Sequence, residues 1–281
     1  MSRAVTSISG TMSAADDASI AYTLHSAEGR AGSSARPRIA LVHSLALDRS
    51  FWDGVVPLLT PHADVLTYDC RGHGKSAKSK TTYTAELFAR DLANLLDHVQ
   101  WPEAVVAGCS MGGCIAQAFA GVYPDRVQAL MVIDSTAWYG PTAPQDWRER
   151  AATAAAKGLA ALSAFQATRW VSDAFRQTHA DVVGKHMDVF LANDVDCYRA
   201  TCEMLGDADL RHYQAGLRVP LSVIVGEEDY ATPVAMSEQI KAAVLHGTLS
   251  VLSKVRHLTP IECPELIAEK IIELVGGVRG S

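Results

Sequence analysis

Cutting an acyl bond without a metal takes a nucleophile, a base and a group that orients the base, and this chain offers a candidate for each. Ser110 lies in VVAGCSMGGCIAQAFA (residues 105–120), where a run of β-formers stops at Gly108 and a small-residue helix begins almost at once. Gly108-Cys109-Ser110-Met111-Gly112 has the G-x-S-x-G spacing. Small neighbours at those positions let a strained strand-to-helix turn lift a serine hydroxyl above a sheet. The helix that follows aims unpaired N–H groups and the positive end of its dipole at the same point, which favours a developing oxyanion. A serine N-cap on a buried helix would leave the same pentapeptide, so Ser110 needs partners elsewhere.

Two partners are in suitable places. LSVIVGEEDYATP ends a late strand and puts Asp229 in the loop at its carboxyl end, and SKVRHLTPIECP puts His257 between a strand expected at 248–252 and the final helix. Ser110, Asp229, His257 is the chain order a serine elbow uses on such a sheet. Asp134 also follows a strand and competes as the acid, but the GEED…TP context favours Asp229; Glu227 and Glu228 read as solvated. For the oxyanion, the backbone N–H of Met111 needs a second donor. LVHSLALDRSFWD leaves its strand at His43 and offers the N–H of Leu45, ahead of that of Ser44. YDCRGHGKS (68–76) reads as a loop-shaping segment without a catalytic role, and no histidine pair has metal-ligand spacing, so no metal is expected.

These residues need elements to hold them. RIALVH (38–43), ADVLTYD (63–69), EAVVAG (103–108), ALMVID (129–134) and LSVIVG (221–226) are continuous apolar runs suited to strands buried on both faces. Between them, Phe88, Leu92, Leu95, Leu96 and Val99 recur on one helix face, with Asp91 and Asp97 assigned to the other. Pro264 opens a last helix carrying Ile267, Ile271 and Val275. Alternating strands and helices imply a mostly parallel, doubly wound α/β sheet. Only residues 138–210 break the rhythm, with helix formers such as RERAATAAAKGLAALSAFQATRW. The expected organisation is a core over 1–137, a helical cap over 138–210 and the rest of the core over 211–281, with residues 1–10 frayed and a polar loop at 26–38. Such a cap would lie over the carboxyl ends of the strands, where ligands bind in open α/β sheets.

The composition excludes several classes of function. Of 281 residues, 48% are apolar and 20% charged, and the net charge of −6 with no long basic run argues against nucleic acid and anionic membranes as partners. No apolar run approaches a membrane span, the N-terminus lacks a signal-peptide core, and six scattered cysteines without CxxC suit a reduced cytoplasmic interior. Oligomeric state is not readable from the residues.

With these motifs in hand the chain resembles the α/β-hydrolases, over about residues 21–275, and within them most resembles the 3-oxoadipate enol-lactonases. The resemblance is carried by HSLALDRSFWD (43–53), YDCRGHGKS (68–76), GCSMGG (108–113), YPDRVQALMVIDSTAW (123–138), GEEDYATP (226–233) and RHLTPIECPE (256–265). It implies an α/β-hydrolase fold with a helical cap inserted after the sixth strand. It also implies Ser110 as nucleophile, His257 as base, Asp229 as orienting acid, no cofactor, and a small lactone or ester as substrate. His43, Ser44, Trp138, Trp147 and Arg148 are candidate pocket residues, with Trp170 and Arg150 beside them in the cap. The family has Asn-Ser-Leu-Gly where this chain has His43-Ser44-Leu45-Ala46, a departure that bears on substrate. Carbon–carbon bond hydrolases and general carboxylesterases share the same triad, a non-catalytic ligand-binding relative would keep the pocket alone, and a dehalogenase would carry aspartate in place of Ser110.

Overall fold

The computed structural model describes residues 5–27 and 36–279; residues 1–4 and 28–35, parts of the expected frayed end and polar loop, lie outside them. Eight strands form one sheet: β1 (Val5–Ser13), β2 (Ser19–Ala27), β3 (Arg38–Val42), β4 (Asp64–Tyr68), β5 (Ala104–Cys109), β6 (Val127–Ile133), β7 (Leu221–Gly226) and β8 (Gly247–Leu252). Their order across the sheet is β1-β2-β4-β3-β5-β6-β7-β8, antiparallel at the first two junctions and parallel from β4 to β8. Every residue of β4, β5 and β7 is buried, which is why these segments read as unbroken apolar runs. The parallel register sends the carboxyl ends of β5, β7 and β8 to one edge, and Ser110, Asp229 and His257 all leave from that edge.

The N-terminal segment differs from expectation. Residues 5–10 belong to β1, which pairs with β2 from Val5↔Ala27 to Ser13↔Ser19, and the hairpin turns through Asp17 at φ 62°. Side chains reinforce the ladder, with Ser9 Oγ 2.9 Å from Thr23 Oγ1 and Ser7 Oγ 2.9 Å from His25 Nδ1. Cross-strand hydroxyl pairs of this kind hold an edge strand that buries almost nothing.

The helix Ala85–His98 starts on Thr84, whose hydroxyl accepts from Leu87 N at 3.1 Å, and buries Phe88, Leu92, Leu95 and Leu96. Full burial of each large apolar side chain is worth about 2 kcal/mol. Asp91, assigned to the outer face, is instead 1% exposed. The 68–76 loop lays Arg71 against it, and Nε and Nη2 bind its two carboxylate oxygens at 2.9 and 2.6 Å. Arg71 also reaches Asp16 at 2.7 Å, so the loop, the helix and the hairpin turn are pinned by one buried guanidinium. A planar fork matched to two carboxylates is the arrangement in which a buried arginine is tolerated.

Between β6 and β7 the chain is helical, from Ala143–Lys157 through Ser163–Trp170, Asp173–Thr178 and Ala180–Leu191 to Val195–Asp207. A backbone bridge between Trp138 and Asp209 closes the excursion at its base. Among the described residues all six cysteines are free thiols, and no helix is long and apolar enough to cross a membrane.

Candidate active site

Ser110 follows β5 and precedes the helix Met111–Val122, with φ 56° and ψ −117°. A non-glycine residue held there costs of order 1–3 kcal/mol, so its surroundings must over-determine it. They do. Ser110 N donates to Ile133 O at 2.9 Å, and its carbonyl accepts from Gly113 N, Cys114 N and the Ser135 hydroxyl at 2.9, 3.1 and 2.7 Å. The flanking glycines are needed for close approach: a Cβ on Gly108 would land on the Gly112 carbonyl, and one on Gly112 would land on the Val42 carbonyl at the end of β3.

The Ser110 hydroxyl donates to His257 Nε2 at 2.9 Å, and His257 Nδ1 donates to Asp229 Oδ2 at 2.8 Å. The carboxylate thereby selects the tautomer that leaves Nε2 free to accept the serine proton. Asp229 is held in turn: Oδ1 accepts from Ala231 N and Thr232 N at 2.7 and 3.0 Å, and Oδ2 accepts the Thr232 hydroxyl at 2.8 Å. Burial pushes the Asp229 carboxyl up, but the charge and hydrogen bond of His257 and the Thr232 donors outweigh it, leaving its pKa below the usual value.

Asp134 is fully buried and makes no hydrogen bond to the His257 ring. It accepts from Thr259 N, the Thr259 hydroxyl and Gly226 N at 2.9, 2.8 and 3.1 Å, tying the ends of β6 and β7 to the loop after His257. Burial and the charge of Asp229 push its carboxyl well above the usual range.

Among the described residues, neither Met111 N nor Leu45 N donates to a backbone carbonyl, and both residues are buried. The contact of Gly112 with the carbonyls of Val42 and His43 presses the first loop against the start of the helix. Ala46 stands in that loop at φ 58°, the left-handed region where the lactonase pattern has glycine, and Asn193 from the cap donates to its carbonyl at 2.7 Å.

The expected pocket residues are dispersed. His43 is 0% exposed, with Nδ1 donating to Ser44 O and Nε2 accepting from Cys70 N, each at 2.8 Å. Both ring nitrogens are spent on backbone, so His43 braces two loops and has no polar atom left for a ligand. Burial lowers its pKa to about 4. Ser44 is buried and its hydroxyl makes no hydrogen bond among the described residues. Trp138 is half-buried under the Arg211 guanidinium, 3.9 Å from the ring centre. Arg148 is an exposed residue paired with Asp207 at 2.9 Å. On the helix Ala143–Lys157 the buried face runs through Trp147, Ala151 and Ala154, and Arg148 is turned about 100° from Trp147. Trp170 packs edge-on against Phe190, with centroids 5.8 Å apart.

The cap also forms a cavity of about 380 Å³ between Tyr139, Trp147, Arg150, Leu162, Phe165 and Arg169. Trp147 and Arg150 had been singled out; Arg169 and Tyr139 had not. Arg169 lies in a helix among alanine and polar residues, where a lone arginine reads as a solvated charge. Among the described residues no group of three or more histidine, cysteine, aspartate or glutamate side chains could hold a metal ion.

A family model described as alpha/beta hydrolase fold matches residues 37–264. The chain belongs to the alpha/beta hydrolase family. Within that family it is 31% identical over 234 residues to 3-oxoadipate enol-lactonase 2 of Acinetobacter baylyi, covering 83% of this chain and 86% of the other. It is also 31% identical over 244 residues to that organism's 3-oxoadipate enol-lactonase 1, covering 86% and 88%. Among solved alpha/beta hydrolases, the enol-lactonase from Burkholderia xenovorans superposes with a TM-score of 0.89 at 29% identity, over 95% of this chain and all (100%) of the other. A hydrolase from Pseudomonas aeruginosa gives 0.88 at 29% identity, over 95% and 98%. The protein is a hydrolase of the group that contains enol-lactonases and esterases.

Proposed function

We propose that this hydrolase opens a small lactone, 3-oxoadipate enol-lactone foremost, through an acyl-enzyme on Ser110. The hydrogen-bond chain from Ser110 through His257 to Asp229 carries the reading, and the similarity to two enol-lactonases supports the substrate.

His257 Nε2 takes the serine proton as Oγ bonds to the lactone carbonyl carbon, and the carbonyl oxygen becomes an oxyanion facing the N–H groups of Met111 and Leu45. Asp229 steadies the imidazolium that results. Collapse of the adduct breaks the ring C–O bond, and the departing enol oxygen takes its proton from His257. Water then gives a proton to His257 and attacks the acyl-enzyme, releasing the carboxylic acid and restoring the Ser110 hydroxyl. No step calls for a cofactor.

The test follows the ultraviolet absorbance of 3-oxoadipate enol-lactone, generated in situ, with wild type and Ser110→Ala, and offers 4-nitrophenyl acetate to both. Rapid lactone loss in wild type, reduced by roughly 10³-fold or more in the variant, is the expected result. Ester cleavage with the lactone untouched would keep the nucleophile and discard the substrate. Inertness toward both would favour a ligand-binding relative.

A further inference from the structure

We propose that the 380 Å³ cavity in the cap is a subsite for a carboxylate carried by the substrate, gripped by the guanidinium groups of Arg169 and Arg150. The inference rests on the hydrolase reading above and names the residues that would hold the free carboxylate such a lactone carries.

Two cations line this cavity, and among the described residues no carboxylate pairs with either. Arg150 donates from Nε to the Tyr198 hydroxyl at 2.7 Å, which leaves both of its Nη groups uncommitted. Its guanidinium lies 5.0 Å from the centre of the Trp147 ring. Arg169 makes no hydrogen bond or ion pair among the described residues. The two guanidinium carbons sit 6.0 and 5.5 Å from the centre of one ring, that of Phe165. Asp146 is the one carboxylate in the cavity lining. It accepts the Thr142 hydroxyl at 2.8 Å and lies more than 4 Å from either arginine's nitrogens. Burial and the neighbouring charge of Arg150 draw the pKa of Arg169 down to about 10. The two like charges repel, the aromatic rings offset that only in part, and a carboxylate held between them would fill the open donors bidentately.

Hydrogen bonds tie the segment that carries Arg169 to the residues flanking His257. Arg169 lies between Thr168 and Trp170, whose carbonyls accept from Arg256 Nη1 and Leu258 N, each at 2.8 Å; Arg256 and Leu258 are the two neighbours of His257. Tyr230, next to Asp229, donates its hydroxyl to the Thr168 hydroxyl at 3.4 Å. The charge of Asp229 acts on both Arg169 and Tyr139, a lining residue. The subsite would take the far end of an acyl chain of a few carbons held at Ser110. The volume suits a short chain ending in a carboxylate.

The experiment compares the half ester 4-nitrophenyl glutarate with the uncharged 4-nitrophenyl butyrate, on wild type, Arg169→Met, Arg169→Lys and Arg150→Gln. Wild type is expected to prefer the anionic ester, and Arg169→Met to lower the anionic-to-neutral ratio of kcat/KM by about tenfold or more, chiefly through KM. Arg169→Lys, which keeps the charge and loses the fork, is expected to restore part of that ratio. A ratio unchanged in Arg169→Met, or a wild type indifferent to charge, overturns the subsite. Calorimetric titration of glutarate into Ser110→Ala and into Ser110→Ala/Arg169→Met reads the subsite without turnover. Binding lost in the double variant supports it even if neither ester is cleaved, an outcome that would overturn the hydrolytic reading alone. Glutarate binding equally to both, or to neither, overturns it.

Discussion

The serine elbow and the segment that carries Arg169 are both hydrogen-bonded to the His257 loop, and they are built by opposite rules. At the elbow the polar groups are engaged: the Ser110 carbonyl accepts three hydrogen bonds, its hydroxyl meets His257, and Asp229 fills both oxygens. In the cavity, the Arg169 side chain has no acceptor among the described residues and Arg150 spends one of its donors. Groups that must be aimed are fully satisfied by the protein, because any spare hydrogen-bonding capacity would let them turn. Groups that must bind are left with capacity to spare. Glycines follow the same division: those at the elbow are closed in by backbone, whereas Gly184 in the cap helix Ala180–Leu191 has no atom within 4 Å of an added Cβ.

The contrast is most exposed at Asp229. Asp229→Asn keeps the shape but turns a donor toward His257 Nδ1, which imposes the wrong tautomer, and kcat toward 4-nitrophenyl acetate should fall by roughly 10³–10⁴-fold with the melting temperature little changed. Next in size, Gly108→Ala should cost about 3 kcal/mol or more in urea unfolding, because its methyl meets a backbone carbonyl that cannot move aside. The paired control in the cap, Gly184→Ala, should gain about 0.5–1 kcal/mol in the same assay. If both substitutions behaved alike, the division between a closed junction and a tolerant cap would be wrong.

A smaller effect is expected from pH. Burial holds His43 at about 4 and His73 at about 3, both below the 6.5 of an exposed imidazole. The unfolded chain therefore binds protons that the folded chain refuses as pH falls from 6.5 toward 4. Stability is full above that window and drops within it by up to about 1.4 kcal/mol per pH unit for each histidine. His43→Asn, which installs the residue of the lactonase pattern, should make this decline shallower. Urea midpoints at about pH 5 and about pH 7 for both proteins measure it, and an unchanged difference would show that the fold does not keep His43 neutral.

How much of this could be read from the sequence depended on whether a signal was local. Five of the six parallel strands, β3 to β7, appear within a residue or two of the apolar runs, since double burial writes itself as an unbroken run; β8, an edge strand buried in little more than its last residue, lies within a residue of the strand expected at 248–252. β1 escaped notice because VTSISGTMS is held by pairing and hydroxyl contacts, with hardly a buried side chain to mark it. Asp91 was assigned to the wrong face because its burial depends on Arg71, distant in the chain and brought near by the fold. Ser110, Asp229 and His257 announced themselves through glycine spacing and strand-end context. Arg169 carries no such context, and only tertiary packing reveals that it lacks a partner. The two competing acids, Asp134 and Asp229, both follow strands; which one meets the imidazole is decided by the path of the chain after β8.

The bond from Leu258 N to Trp170 O joins the cap to the loop that carries His257 through backbone atoms alone. Any amino acid with an N–H at one position and any at the other can make it, so this tie survives exchange of side chains in the cap, unlike the side-chain tie of Asp173 to Arg256. Adding or removing a residue in Ser163–Trp170 is a different matter, because it would rotate that carbonyl by about 100° and draw the imidazole away from Ser110. Substitution therefore leaves this tie intact, whereas changes of length fit only the cap's outer turns.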